Sequence, residues 1–248
     1  VADAADGNAL WGCRELGGWR PQPEIAPAPR EEAMGTSLFC FVVACAENGQ
    51  EESMMNYQQE NHLGAFACDE SAAFHASMMG RGDWKSVVNA DAFIGIWKQV
   101  HDDGRWWHHD WVVKSDVDAV FFPERLKWHL EKLSPPQGTA AYVRNTDFKF
   151  GFQGSLEVFS KGALDRYFGN PEAQLAPGWD KCAAGDNIGH NGGEDRYMLE
   201  CMQALGVGAV SDPSVLKDKY TWTTQYDMKE TAFCDDGWAA AFHPLKDL

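Results

Sequence analysis

The sequence predicts a single α/β domain with a mostly parallel central sheet flanked by helices. Strand and helix patterns alternate along most of the chain, which is the arrangement that builds such a sheet. Residues 37–45 form a short continuous apolar run, typical of a strand buried on both faces. A length of 248 residues with 44% hydrophobic residues suffices for one large core. We therefore expect one domain over residues 37–248.

Residues 1–36 differ in composition and are predicted to form an N-terminal arm. Proline lacks a backbone donor and interrupts helices and central strands. The prolines of this segment include Pro21, Pro23, Pro27 and Pro29. We expect the arm to lie across the surface of the domain.

The first part of the domain has the pattern of a strand–helix–strand unit. The run at 37–45 is followed by a helical stretch at 51–61 and a second apolar run at 65–69. Ligands of parallel sheets bind beyond the carboxyl ends of the strands. Asp69, at the end of the second predicted strand, is therefore a candidate cofactor-binding residue.

The remaining elements continue the alternation. Residues 89–100 place apolar side chains at i, i+3, i+4 and i+7, the spacing of an amphipathic helix. A third strand is predicted at 111–114, and Pro123 suits the first turn of a helix that extends to about Leu133. Further strands are predicted at 142–143 and 156–159, and further helices at 160–168 and 194–205.

The acidic composition restricts the classes of partner. A net charge of −16 argues against binding nucleic acid through its phosphates. No apolar run is long enough to form a transmembrane segment in this chain. An acidic protein can still bind a nucleotide diphosphate when a divalent cation lies between them. The eleven tryptophans suit a carbohydrate ligand as well as a core, because the C–H groups of a pyranose stack on aromatic faces.

The sequence Asp116-Val117-Asp118 is the strongest chemical signal, because it directly follows an apolar strand. Residues i and i+2 of an extended segment point to the same side, so the two carboxylates face together. Such a pair offers the hard oxygen ligands that Mg²⁺ and Mn²⁺ prefer. The bound ion can bridge the phosphates of a nucleotide sugar and stabilise the leaving diphosphate. A solvated acidic turn is the alternative interpretation.

A rival group of candidate ligands comprises His101, His108, His109 and Asp110. Histidine and aspartate can bind zinc, which would indicate a zinc hydrolase. The spacing matches no H-x-x-x-H helix pair, however, and adjacent histidines diverge on either a helix or a strand. The chain also lacks the serine-hydrolase, P-loop and dinucleotide-binding motifs.

Residues 110–126 resemble the DxD region of GT-A glycosyltransferases, in which an apolar strand, a basic residue and DxD precede an apolar pair and a helix. Three more segments are similar in order. Residues 39–45 resemble the first nucleotide-binding strand. Residues 192–207 resemble the ED…C…LGV element of the β-1,3-galactosyltransferase-like group. Residues 241–246 resemble the C-terminal histidine element. The resemblance spans roughly residues 37–246 and implies a GT-A fold.

The resemblance also implies roles on the donor side. Asp118 would be the main ligand of a Mn²⁺ or Mg²⁺ ion, and Asp116 would contact the metal or the ribose. His243 would complete the metal ligands as a neutral imidazole. Lys246 would lie against the diphosphate.

On the acceptor side, the resemblance implies a general base in the Glu194-Asp195 pair, which would take the proton of the attacking hydroxyl. We favour Asp195, with Glu194 as the alternative. Helix capping is the structural interpretation of the same pair, since an acid at a helix N-terminus is stabilised by the dipole. Gln153 and Gly154 belong to a segment that would form a wall of the donor or acceptor site, where small residues allow close backbone approach.

The expected function is metal-dependent transfer of a sugar, with inversion, from a nucleotide-diphosphate sugar such as a UDP-sugar to a hydroxyl of a glycan or glycoprotein. The alternative is a GT-A-like domain without catalysis that acts as a structural or carbohydrate-binding subunit, with a protein partner. The resembled group implies the secretory pathway lumen, such as the Golgi, or secretion.

The cysteines provide a separate expectation. The chain has seven cysteines and no CxxC pair, so a structural zinc site is not expected. Cys40 and Cys45 lie in or beside the first strand and are expected to be small buried residues. In an oxidising lumen at least one disulfide should involve Cys182, Cys201 or Cys234.

Overall fold

The computed structural model describes residues 24–45, 48–76, 89–148, 150–184, 192–221 and 236–245. The strands are β1 Leu38–Cys45, β2 Glu70–Ala76, β3 Trp111–Asp116, β4 Val120–Phe121, β5 Ala141–Arg144, β6 Leu156–Ser160, β7 Gly208–Ser211, β8 Leu216–Asp218 and β9 Ala241–His243. The helices are α1 Gly49–Glu60, α2 Ala90–Asp103, α3 Pro123–Leu133, α4 Lys161–Phe168, α5 Trp179–Ala184 and α6 Glu194–Ala204. Short 3-10 turns occupy Arg30–Glu32, Gly64–Ala67 and Arg105–His108.

Six strands form the central sheet in the order β2-β1-β3-β6-β5-β7. Strand β6 is antiparallel to both of its neighbours, and the other pairs are parallel. The predicted α/β class with a mostly parallel central sheet is therefore confirmed. The carboxyl ends of β1, β2 and β3 share one edge of this sheet, which is where a ligand of a parallel sheet is expected.

Both faces of the sheet are covered, so β1 is buried along its length as its apolar run predicts. Alternate β1 residues pack into two cores on opposite faces. Trp97 of α2 is fully buried in the first core and meets Phe41 and Phe159 edge-on, with ring centroids 5.1 and 5.5 Å apart. The amphipathic helix predicted at 89–100 is confirmed by this packing.

A second sheet of three short strands, in the order β4-β9-β8, adjoins the carboxyl end of β3. Strand β9 is antiparallel to β4 and parallel to β8. These strands have two or three residues each, too few for a periodic pattern, and they were not predicted from the sequence. This small sheet brings the C-terminal histidine element to the central sheet.

The strand predicted at 65–69 is wrong. Residues Gly64–Ala67 form a 3-10 turn, and the strand that pairs with β1 is β2, at Glu70–Ala76. Strand β2 lies at the edge of the sheet and is only partly buried, so it lacks the continuous apolar run of a central strand. Asp69 consequently precedes a strand and does not end one.

Two disulfides link the described residues. Cys182 and Cys201 join α5 to α6 with their Cα atoms 5.2 Å apart, which confirms the expected disulfide in the C-terminal half. Cys40 pairs with Cys68 at a Cα separation of 6.0 Å. The expectation for Cys40 is therefore corrected: it is buried, but as one half of a crosslink between β1 and the segment before β2.

The described part of the N-terminal segment, residues 24–36, runs beside β7 and the end of α3. Its backbone amides at Ile25 and Ala28 donate to the carbonyls of Ala209 and Ser134, at 3.0 and 2.8 Å. Among the described helices, none has the length and apolar character needed to cross a bilayer.

Candidate active site

Three predicted metal ligands, Asp116, Asp118 and His243, converge at the carboxyl end of β3. Each offers one ligand atom, and these atoms lie within 4.8 Å of one another. The register of β4 with β9 brings these three residues together, because Val120 pairs with Phe242 in an antiparallel ladder. The residues after the DxD turn therefore lie beside the residues that end at His243.

Backbone and side-chain hydrogen bonds fix the DxD turn. The amide of Ala119 donates to the carbonyl of Asp116 at 3.1 Å, which closes the turn. Gln58 of α1 donates its side-chain amide to the carbonyl of Val117 at 2.7 Å. Leu245 donates its backbone amide to the carbonyl of Asp118 at 2.8 Å. Helix α1 and the residues after β9 thus hold the backbone of the turn that carries the two carboxylates.

His243 is oriented by Asp218, a residue that no sequence motif marks. The Nδ1 atom of His243 lies 2.7 Å from Oδ2 of the fully buried Asp218, which also accepts from the Ser155 hydroxyl at 2.8 Å. Its Nε2 atom points towards Asp118 and Asp116, at 3.3 and 3.6 Å. A carboxylate on one ring nitrogen fixes the ring and leaves the other nitrogen for a metal.

The charges around His243 favour its protonated form when no cation is bound. Burial lowers the pKa of His243, but hydrogen bonds to Asp118 and Asp218 and the charge of Asp116 outweigh burial and raise the pKa to about 9. A metal cation would take the place of this proton among the same carboxylates.

Lys114 connects the predicted metal ligands to the predicted base element. Its ammonium donates to Asp116 Oδ1 at 2.5 Å and to Glu194 Oε1 at 3.1 Å. A third hydrogen bond of 2.8 Å goes to the carbonyl of Gly154. Lys114 is fully buried, and the two carboxylates raise its pKa above the ordinary lysine value although burial alone would lower it.

Glu194 and Asp195, the first two residues of α6, have different environments. Burial opposes ionisation of Glu194, but the charge and hydrogen bond of Lys114 bring its pKa below the ordinary value. Asp195 forms no salt bridge with Lys114; burial and the adjacent Glu194 charge raise its pKa to about 6. Asn89, just before α2, accepts from the Glu194 amide at 2.9 Å and so caps α6.

A further buried acid, Glu157, lies opposite Lys114 in the pairing of β3 with β6. Its side chain is fully buried, and neither carboxylate oxygen has a hydrogen-bond partner among the residues that the structure describes. Burial raises the pKa of Glu157 well above the ordinary value, against the opposing charge of Lys114. Burial therefore disfavours the charged form of Glu157, and the hydrogen bonds of Lys114 go to Asp116 and Glu194.

The other predicted site residues have different outcomes. Asp69 accepts from the Leu38 amide at 2.7 Å and from Lys127 at 2.9 Å, which places it at the amino end of β1 and at the opposite edge from the metal ligands. Its predicted cofactor role rested on the incorrect strand and is withdrawn. Lys246 lies outside the described residues.

Gln153 and Gly154 lie in the loop before β6, beside the acids of α6. A Cβ atom at Gly154 would stand 2.7 Å from Glu194 Oε1 and 3.2 Å from the Asp195 Cβ. The close approach predicted at Gly154 thus involves the protein's own helix. The Gln153 backbone pairs with the Asn145 side chain, donating at 2.9 Å and accepting at 2.9 Å.

The rival zinc group is not assembled. His101 contacts Asp102 at 3.0 Å, His109 contacts Glu70 at 3.0 Å, and Asp110 accepts from the Ser37 hydroxyl at 2.6 Å. Across the ranges that the structure describes, the one group of three or more clustered ligand side chains is the set formed by Asp116, Asp118 and His243.

The chemistry of this ligand set fits a divalent cation. Two carboxylates and one imidazole suit Mn²⁺, which accepts both oxygen and nitrogen ligands, and the carboxylates alone would suit Mg²⁺. The hydrogen bond from His243 Nδ1 to Asp218 is the outer contact that metal-binding histidines commonly make.

Comparisons of the fold with solved structures give remote likenesses to glycosyltransferases. No family model and no curated protein sequence matches the chain. A glycosyltransferase involved in glycosylation of the major capsid of PBCV-1 has a TM-score of 0.48 and 9% identity, covering 84% of this chain and 93% of that one.

Two animal enzymes are similar to a lesser degree. Mouse xyloside xylosyltransferase 1 has a TM-score of 0.43 and 10% identity, covering 84% of this chain and 97% of that one. A Drosophila β-1,4-galactosyltransferase 7 mutant, in complex with manganese, UDP-Gal and xylobiose, has a TM-score of 0.38 and 13% identity, covering 81% of each chain. Because these TM-scores lie below 0.5, the function has to be inferred from this chain's own residues.

Proposed function

We propose that the protein is a metal-dependent glycosyltransferase that moves a sugar from a nucleotide diphosphate to a hydroxyl acceptor. One observation supports this most strongly: Asp116, Asp118 and His243 converge at the carboxyl edge of the sheet, and Lys114 joins Asp116 to Glu194, the neighbour of Asp195. A cation site for a diphosphate and a separate base for an acceptor are the two parts that the reaction needs.

On the donor side, Asp116, Asp118 and His243 would hold Mn²⁺ or Mg²⁺, and Asp218 would fix the histidine ring for that task. When bound, the cation would offset the charge that develops on the leaving diphosphate. The net charge of −16 favours such a cation, because it would offset the repulsion between an acidic site and the diphosphate.

On the acceptor side, Asp195 would take the proton. As the acceptor hydroxyl attacks the anomeric carbon, a new C–O bond forms and the bond to the diphosphate breaks with its electron pair. The hydroxyl proton passes to Asp195, whose pKa of about 6 suits a base that works near neutral pH. Glu194 is unsuited to this step because it is engaged by Lys114.

The nature of the substrates and the location extend this proposal. We propose a UDP-sugar as donor, a glycan or glycoprotein as acceptor, and inversion at the anomeric carbon, because a single base on the acceptor side is sufficient for direct displacement. We also propose that the protein works in the secretory lumen or outside the cell. The buried Cys182–Cys201 disulfide and the Cys40–Cys68 disulfide support this location, since such bonds persist in oxidising compartments.

Hydrolysis of UDP-sugars tests the activity without knowledge of the acceptor. We expect slow release of UDP from at least one common UDP-sugar that requires Mn²⁺ or Mg²⁺ and stops when EDTA is added. The matched control is Asp118→Asn, which keeps the size of the side chain and removes one charged ligand. A protein that binds UDP and Mn²⁺ but hydrolyses and transfers nothing would instead be the non-catalytic binding subunit.

A further inference from the structure

Lys114 joins three segments that are distant in sequence. Its ammonium donates to Asp116 at the end of β3, to the carbonyl of Gly154 in the loop before β6, and to Glu194 at the start of α6. These three bonds use all the hydrogens of an ammonium group. The ammonium also lies 4.8 Å from the centre of the Phe93 ring.

The position of Lys114 gives these contacts a functional meaning. Asp116 belongs to the predicted metal centre, whereas Glu194 immediately precedes Asp195, the proposed base. Lys114 is the direct link between the two, with salt bridges of 2.5 and 3.1 Å. A displacement of about 1 Å between reacting groups can cost about a hundredfold in rate.

We propose that Lys114 is a positioning residue that sets the distance between the metal centre and Asp195, by holding Asp116 and Glu194 on one ammonium. This inference rests on the proposed function and adds a residue to it. Glu194 has the complementary part: its carboxylate anchors the first turn of α6 and leaves Asp195 to receive the proton.

Glu157 shows that the arrangement is selective. It lies opposite Lys114 in the β3–β6 ladder, yet it makes no hydrogen bond to the ammonium. The hydrogen bonds of the ammonium go to the two carboxylates at the site and to the Gly154 carbonyl, and none goes to Glu157. Without Lys114, Asp116 and Glu194 would face each other as like charges with little solvent to screen them.

Four forms of the protein test the inference: the unsubstituted protein, Lys114→Met, Glu194→Gln and the double variant. Methionine keeps an unbranched side chain of similar bulk without the charge of lysine, and glutamine keeps an oxygen that accepts from Lys114. For each form we would measure urea unfolding, the Kd for Mn²⁺ by titration calorimetry without substrate, and kcat and KM for the UDP-sugar.

We expect Lys114→Met to lose stability and to lower kcat about a hundredfold. Its Kd for Mn²⁺ should be unchanged or lower, because a cation that competes for Asp116 is removed. Glu194→Gln should keep kcat within about tenfold. The double variant should recover stability, because Glu194 is replaced by a neutral amide and no longer repels Asp116. Its kcat should stay low, because the Lys114 ammonium that joins the two residues is missing. If Lys114→Met does not fold, the double variant provides the test.

Three results would overturn the inference. Recovery of kcat together with stability in the double variant would make Lys114 structural only. A weakening of Mn²⁺ binding in Lys114→Met that accounts for the whole loss of kcat would place its effect in the metal centre alone. An unsubstituted protein without Mn²⁺-dependent turnover would overturn the proposed function and this inference together, whereas the first two results leave the proposed function intact.

Discussion

Asp195→Asn tests the proposed division of labour between the two acids at the start of α6. Asparagine has nearly the same shape as aspartate but cannot take a proton at neutral pH. The loss of a general base typically lowers kcat by about 10²–10⁴-fold, so we expect a decrease of at least about a hundredfold. Binding of Mn²⁺ and donor should stay nearly unchanged, because Asp195 belongs to the acceptor side.

The pH dependence follows from the environment of Asp195. Burial and the Glu194 charge raise its pKa to about 6, so about nine tenths of this carboxylate is ionised at pH 7. A base must be ionised, and kcat/KM should therefore rise tenfold per pH unit below about 6 and level off above it. The residual rate of Asp195→Asn should lack this rise.

Steady-state kinetics of donor hydrolysis between pH 4.5 and 8 provides the assay, and Glu194→Gln is the matched control. The control should retain kcat within about tenfold, because its amide oxygen still accepts from Lys114. Normal turnover by Asp195→Asn would refute the reasoning. If Glu194→Gln were inactive and Asp195→Asn active, the general base would be Glu194.

Three further predictions concern the supports of the site and the fold. Asp218→Asn should weaken Mn²⁺ binding about 10- to 100-fold in calorimetry, with retained circular dichroism, because the histidine ring loses its charged orienting partner. Gly154→Ala should lower the free energy of unfolding in urea by about 1–3 kcal/mol and lower kcat, because the new Cβ would stand 2.7 Å from Glu194 Oε1. A variant with unchanged stability and kcat would refute this packing. Asp212→Asn should lower the free energy of unfolding by about 1–3 kcal/mol in the same assay. Burial opposes ionisation of Asp212, but the hydrogen bond with His129 lowers its pKa to about 2. The stability that the Asp212 carboxylate contributes is therefore present above about pH 4 and is lost as the pH falls through 2, and the variant should lack this pH dependence.

The sequence predicted the parts of the fold that have strong local signals. The apolar run of β1 and the i, i+3, i+4, i+7 spacing of α2 reflect burial, which the structure confirms at Phe41 and Trp97. Helix α3 begins at Pro123 and ends at Leu133, as proline at the first helical position predicts. The edge strand β2 was misplaced because an edge strand needs no continuous apolar run.

The site was predictable only where a local motif marked it. Asp116 and Asp118 directly follow a buried strand, and the structure brings His243 to them. The orienting role of Asp218 could not be predicted, because it depends on the pairing of two three-residue strands. The link from Lys114 to Glu194 crosses 80 positions of sequence and depends on where the first turn of α6 packs.

The most direct test of the account is a crystal structure of the protein grown with Mn²⁺ and UDP, with anomalous diffraction data recorded at the manganese edge. We predict one strong anomalous peak within ligand distance of Asp118 and His243, with the diphosphate on its open side. The same peak should be absent from crystals of Asp118→Ala. A UDP molecule bound elsewhere, or a manganese peak that does not contact these two residues, would contradict the proposed metal centre.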